Sequence, residues 1–78
     1  MSKNNNNKKE KRVAPDLLQK VAHAVIFYRM KRKLTKEKLE YETGLNIARY
    51  ESGRHDMTLT TLSILSKHLD VEPYKLLK

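Results

Sequence analysis

The chain has 78 residues, no cysteine and a formal net charge of +8 at pH 7. This length leaves room for one small domain, and the lack of cysteine excludes a disulfide framework and a zinc finger. Because no apolar run is long enough to span a bilayer and the N-terminal residues lack the apolar core of a signal peptide, we expect a cytoplasmic protein.

Positive charge is shared between an N-terminal arm and the rest of the chain. Residues 1–12 carry five Lys or Arg and one Glu, and the remaining residues carry twelve basic and eight acidic side chains. Excess basicity in both parts favours a polyanionic partner. Residues 1–14 are predicted to form a disordered basic arm, and residues 15–78 the folded domain. The arm is either a solvated tail or an extension that contacts a phosphate backbone.

The first predicted helix begins at Asp16, whose carboxylate would cap it with Gln19 in the capping-box position. Pro15 would prevent the helix from extending backwards. Basic residues at positions 29 and 31–33 place positive charge in its last turn, where it complements the helix dipole. Apolar residues recur at helical spacing and predict one buried stripe: Leu17, Leu18, Val21, Ala22, Val25 and Ile26.

The second and third predicted helices meet with almost no connecting sequence. Thr35 is the expected cap of helix two, and Leu39 is expected to face inward. Two registers are open at the junction. In the one we favour, Thr43 caps helix three; in the other, Gly44 is the left-handed C-cap of helix two, Leu45 is core, and helix three starts at Asn46.

Two further helices complete an all-α, five-helix plan. Gly53 is expected to close helix three, and Thr58 to cap helix four. Pro73 suits the first position of helix five, from which Tyr74 and Leu77 would pack back on the bundle. The predicted buried stripe of helix four is Leu59, Leu62, Leu65 and Leu69.

The order and spacing of these residues resemble the helix-turn-helix domains of the lambda repressor/Cro-type, or xenobiotic-response-element-type, transcription regulators. The resemblance spans roughly Asp16 to the C-terminus. It depends on Val25, Arg29, Leu34-Thr35, Leu39, Thr43-Gly44-Leu45, Ile47, Arg49 to Gly53, Thr58-Leu59, Leu62 and Leu69-Asp70-Val71. One departure is a junction between Gly44 and Glu51 that is about three residues shorter than the family pattern.

The resemblance implies a compact lambda-repressor-like fold and a structural ion pair between Arg29 and Glu51. It also implies a sequence-specific, nucleoid-associated regulator of transcription, such as a repressor, that reads duplex DNA with helix three, about residues 43–52. Asn46 suits adenine, and Arg49 suits guanine or a phosphate. The candidate DNA-binding residues are Lys36, Thr43, Gly44, Leu45, Asn46, Arg49, Ser52, Arg54 and His55.

Catalysis, metal binding and a cofactor are not expected. The sequence contains nothing like a nucleophile elbow, and two glycines are too few for a phosphate-binding loop. The spacing of His23, His55 and His68 matches no common metal-ligand pattern.

Several alternatives stay open. Leu45 either faces outward, where it could contact a thymine methyl, or is core. The chain could instead be the antitoxin or accessory component of a two-protein module, whose partner is a protein. A third hypothesis treats Asp16 to Lys33 as a surface-active basic helix. A homodimer is left open.

Overall fold

The computed structural model describes residues 14–78, and every regular element in that range is a helix. The predicted all-α class and the number of helices are therefore confirmed for this part of the chain, whereas the predicted arm lies outside it except for Ala14. None of these helices is long and apolar enough to cross a membrane. The helices are α1 (Pro15–Lys31), α2 (Lys36–Thr43), α3 (Ile47–Glu51), α4 (Leu59–Leu69) and α5 (Pro73–Leu76).

All five helices contribute to one hydrophobic core. The short helices α2, α3 and α5 each contribute one fully enclosed aliphatic side chain, from Leu39, Ile47 and Leu76. Helices this short are marginal by themselves, so tertiary packing stabilises them. The middle of the apolar stripe of α1, from Val21 to Val25, is covered by α3, α4 and α5, which disfavours its use as a membrane-surface helix. The core residues are Val21, Val25, Leu39, Ile47, Leu62, Leu65, Leu69 and Leu76.

Three predicted helix starts are confirmed. The hydroxyl oxygen of Thr35 accepts a hydrogen bond from the amide of Lys38 at 3.0 Å, and Thr58 caps α4 in the same way through Thr61 at 3.0 Å. Pro73 occupies the start of α5. In each case the residue satisfies, or removes, an amide that has no partner inside the helix.

The predicted start of α1 is wrong by one residue. The helix begins at Pro15, its N-cap is Ala14, and no side chain makes a capping hydrogen bond. Proline needs no amide partner and its fixed φ suits the first helical position, so Pro15 is included in the helix. Asp16 consequently lies in the first turn, where its charge acts on the helix dipole.

The favoured register of the α2–α3 junction is also wrong, and the alternative register is the correct one. Gly44 is left-handed (φ 74°, ψ 10°) and its amide donates to the carbonyl of Glu40 at 2.8 Å. Thr43 is the last residue of α2, and Asn46 caps α3 by accepting from the amide of Arg49 at 3.1 Å. Glycine adopts the left-handed conformation without a Cβ clash, and asparagine is among the best N-caps, so both residues favour this register.

Apolar predictions are wrong on three helices. Leu59 is exposed at the first position of α4, and Leu17 is partly exposed near the start of α1, so both lie outside the buried stripes. On α5, Leu76 is buried while Tyr74 and Leu77 are exposed. A helix of four residues is too short for periodicity to define its inward face.

Candidate nucleic-acid interface

An ion pair joins α1 to α3. The Arg29 guanidinium donates to Glu51 through Nε–Oε2 at 2.6 Å and Nη2–Oε1 at 3.3 Å, and through Nη1 to the carbonyl of Leu34 at 2.8 Å. The two side chains are 11% and 4% exposed. Charge-assisted bonds of this kind are directional. Arg29 therefore orients α3 relative to both α1 and the segment before α2.

The side of α3 that faces away from the core is exposed. Ile47 and Glu51 are buried, whereas Ala48, Arg49 and the C-cap Ser52 are exposed. At 100° per residue Arg49 lies opposite Glu51, and Ala48 and Ser52 lie nearer to the ion pair. The Ser52 hydroxyl donates to the carbonyl of Arg49 at 2.7 Å, near the end of the helix. Arg49 is therefore the long polar side chain that α3 itself presents to a partner.

Asn46 has a structural role that limits how it can contact a base. Its Oδ1 accepts the capping hydrogen bond from Arg49, which sets the orientation of the amide. A bidentate contact to adenine requires the same oxygen as an acceptor and the Nδ2 group as a donor. The cap occupies one of the two lone pairs of Oδ1 and holds that oxygen toward the helix, so Nδ2 is the group that Asn46 offers as an outward donor.

The other junction residues are less available than the sequence suggested. The Thr43 hydroxyl donates to the carbonyl of Leu39 at 2.8 Å and accepts from the amide of Leu45 at 3.1 Å. A phosphate contact by Thr43 would require its bond to Leu39 to break. Leu45 is half-buried and packs against the core, which favours its core role over a thymine contact. Gly44 is exposed, with open space where a Cβ would lie.

Lys36 lies beside the exposed face of α3. An open depression of about 450 Å³ separates the start of α2 from α3, and Lys36, Ala48 and Ser52 are on its rim together with the Arg29–Glu51 pair. Because Arg29 and Glu51 neutralise each other, Lys36 gives the depression its positive charge. The structure thus brings Lys36 and Ser52 together, as a surface that binds a phosphate backbone beside a reading helix would require.

The loop after α3 extends this surface. Gly53 is left-handed (φ 75°) and a Cβ there would lie 3.0 Å from Gln19 Nε2. Arg54 is exposed and its amide donates to the Ser52 hydroxyl at 3.3 Å, while His55 is half-buried. Arg54 therefore adds a second exposed cation at the end of α3, and His55 is the less accessible of the two.

Within residues 14–78, no three His, Cys, Asp or Glu side chains form a group that could hold a metal ion. Of the three histidines, His68 lies 3.7 Å from Glu42, on the opposite end of α2 from Lys36.

Two exposed features have no counterpart in the sequence interpretation. Arg32 Nη1 donates to the carbonyl of His68 at 3.2 Å and thereby satisfies an acceptor near the end of α4. Leu17, Leu59 and Leu77 line one apolar groove. The exposure of Leu59 could have been predicted from the sequence. Leu59 directly follows the cap Thr58, and a residue in the first turn is less enclosed by packing than one in the middle of a helix.

Comparison of the chain with protein-family models, curated proteins and solved structures found no match in any of the three. The function proposed below therefore depends on the chain's own residues and their arrangement.

Proposed function

We propose that the chain is a helix-turn-helix protein of the lambda repressor/Cro type that binds duplex DNA and represses transcription at specific sites. The observation that carries this proposal is the α2–α3 unit, in which three residues connect two helices and the outer face of α3 is polar. A unit of this kind fits a major groove, with the second helix against the base edges. Such binding implies a cytoplasmic protein associated with the nucleoid.

Arg49 is the main base-reading residue in this proposal. It is exposed on α3, and a guanidinium can donate two hydrogen bonds to guanine O6 and N7. The Nδ2 group of Asn46 supplies a second donor, to an acceptor on a neighbouring base. Because α3 has five residues and spans only about 7.5 Å, few base pairs lie within its reach.

Phosphate contacts supply most of the affinity in this proposal. Lys36 lies beside α3, and Arg54 follows it. Ser52, on the same rim, offers an additional polar contact. The basic residues from Lys8 to Arg12, outside the described range, add attraction that does not depend on sequence. These contacts fix the orientation of the protein, and Arg49 and Asn46 supply the specificity.

The proposal is tested by selecting bound duplexes from a random DNA pool with the full chain. We expect enrichment of a short motif centred on one or two base pairs, confirmed by fluorescence anisotropy with a labelled duplex and a scrambled control. If the protein binds neither duplex at low salt, the DNA-binding proposal is wrong. Equal affinity for both duplexes would retain DNA binding but remove sequence-specific repression.

A second candidate function is the antitoxin or accessory component of a two-protein module. Two observations favour it: α3 is short for a reading helix, and leucines are exposed around an apolar groove. Exposed apolar surface commonly marks a protein contact. A stable hetero-complex on co-purification with the product of a neighbouring gene, together with weak DNA binding by the chain alone, would favour this function over the first.

A further inference from the structure

The net positive charge of residues 14–78 is concentrated at one end of the domain. Arg32 Nη1 donates to the carbonyl of His68, which joins the C-terminal ends of α1 and α4, and α5 packs on both helices. This end carries six cations and two carboxylates, Asp70 and Glu72, whereas the rest of residues 14–78 carries six side chains of each sign. We call this surface the basic end. Its cations are Lys31, Arg32, Lys33, Lys67, Lys75 and Lys78.

Two open depressions on the basic end form one continuous track. The first, of about 490 Å³, is lined by Tyr28, Lys31, Arg32 and Lys75. The second, of about 400 Å³, meets it at Lys75 and extends it past Lys67 along the end of α4. Neither is enclosed enough to bury most of a small ligand, as ligand pockets do. An open track lined by cations instead suits a polymer with a phosphate at each step.

Exposed aromatic rings adjoin this track. Phe27 is 58% exposed, its ring centre lies 5.0 Å from that of Tyr28, and Lys31 Nζ lies 5.8 Å from the same ring. On α5, Tyr74 is 57% exposed, and Lys78 Nζ lies 5.8 Å from the centre of its ring. A ring beside a cation suits a nucleotide, because the base stacks on the ring and the phosphate pairs with the cation. Only an unpaired base has a free face, so these rings favour a single strand over a duplex.

We propose that the basic end binds single-stranded nucleic acid, with a base stacked on Phe27 and phosphates held by Lys31 and Lys75. This site is separate from the surface in the proposed function and does not rest on it. Helix α3 packs on α1 and α2, whereas α5 packs on α1 and α4. At 3.6 residues per turn, Lys31 lies about 160° around α1 from Arg29, which faces α3. One chain can therefore hold a duplex on α3 and a single strand on the basic end together.

Fluorescence anisotropy of the full chain with a labelled, unstructured single strand of about twelve nucleotides tests the phosphate contacts. Each contact contributes about −0.7 to the log–log slope of affinity against salt. Lys31→Ala and Lys75→Ala should each make that slope shallower by about 0.7, and both should leave the affinity for duplex DNA within about twofold. Lys20→Ala is the matched control, because Lys20 is exposed on the same side of α1 about three turns earlier and lies outside the track. It should leave the slope unchanged.

Phe27 supplies an independent optical readout of stacking. The chain contains no tryptophan, so Phe27→Trp introduces a single reporter, which should retain the affinity and be quenched when a base stacks on it. Phe27→Ala should weaken single-strand binding at least about fivefold. Because Phe27 is largely exposed, both variants should unfold at nearly the same temperature as the unmodified chain. Tyr41 is 86% exposed on α2 and lies outside the track, so Tyr41→Trp and Tyr41→Ala are the matched controls and should show neither effect.

Four outcomes decide the inference. If the Phe27 and Tyr41 variants behave alike, the basic arm accounts for single-strand binding and the inference is wrong. It is also wrong if adenosine monophosphate displaces the strand at the same concentration of nucleotide units, which would assign the track to a small ligand. Phe27-dependent binding to phosphatidylglycerol vesicles, without a Phe27 effect on the single strand, would assign the basic end to a membrane surface instead. Phe27-dependent single-strand binding by a chain that binds no duplex supports the inference and overturns the proposed function.

Discussion

At the scale of single residues, the pairing of the buried Glu51 carboxylate depends on the side chain of Arg29. Within residues 14–78, both of its carboxylate oxygens accept hydrogen bonds from Arg29, whereas Arg29 also donates to the carbonyl of Leu34. We expect Arg29→Ala to lower the free energy of unfolding by about 3 kcal/mol, because it leaves a buried carboxylate unpaired. Glu51→Ala should cost less, since Arg29 keeps its bond to Leu34 and is more exposed. Thermal and urea unfolding measure both losses.

A second ion pair supplies the control for that measurement. Lys38 and Glu42 lie 3.7 Å apart on the surface of α2, and their double-mutant cycle should give a coupling below about 0.5 kcal/mol. The cycle for Arg29 and Glu51 should give at least about 1 kcal/mol. Additive losses at Arg29 and Glu51 would contradict a structural ion pair.

Arg49 and Lys36 should differ in what they contribute to DNA binding. Arg49→Ala should cost about 1 to 3 kcal/mol on the selected site and much less on scrambled DNA, because a base contact is lost. Lys36→Ala should weaken both duplexes similarly and make the salt slope shallower by about one. Fluorescence anisotropy measures all four affinities, and Lys75→Ala on α5 controls for the loss of one positive charge. Equal losses on both duplexes for Arg49→Ala would assign Arg49 to the phosphates.

At the scale of elements, Asn46 has two roles at the start of α3. It caps the helix, and it is a candidate for contact with a base. Asn46→Ala should lower the free energy of unfolding by about 1 kcal/mol, because the amide of Arg49 loses its side-chain acceptor and keeps only the carbonyl of Asn46, at 3.1 Å. Asn46→Asp keeps an acceptor at the same position and should leave stability nearly unchanged. The aspartate should nevertheless weaken DNA binding, because it replaces the Nδ2 donor with a negative charge.

This pair of variants separates folding from recognition at one position. Urea unfolding reports the cap, and fluorescence anisotropy reports the contact with DNA. If Asn46→Asp bound DNA as well as the unmodified chain, Asn46 would be only a cap. Recognition would then depend on Arg49 and on DNA shape.

At the scale of the whole molecule, the positive charge predicts a strong salt dependence of DNA binding. If the domain and arm neutralise about five phosphates, the log–log slope of affinity against salt should lie near about −4 to −5. Serine in place of Lys8, Lys9, Lys11 and Arg12 should make the slope shallower by about one for each phosphate that the arm contacts. The same variant should unfold at the same temperature. A slope unaffected by these substitutions would mean that the arm contacts no phosphate.

The sequence by itself determined those features that depend on local chemistry. The all-α class follows from helical periodicity, and the caps Thr35 and Thr58 follow from the ability of a hydroxyl to accept from an amide three residues later. Pro73 at the start of α5 follows from its missing amide. The caps and Pro73 act within about one helical turn and the periodicity within one helix, so no knowledge of distant residues was needed.

Only the tertiary structure decided the features that depend on which helices meet. The junction sequence allowed two registers, and the structure adopts the one with Leu45 against the core and Asn46 as the cap. For Leu76, burial depends on which side of α5 another helix covers, and four residues are too few for periodicity to indicate this. Leu59 fits the periodicity of α4 but lies at its first position, where no other helix covers it. The apolar groove lined by Leu17, Leu59 and Leu77 could not be predicted as one surface, because these residues belong to separate parts of the chain and only packing brings them together.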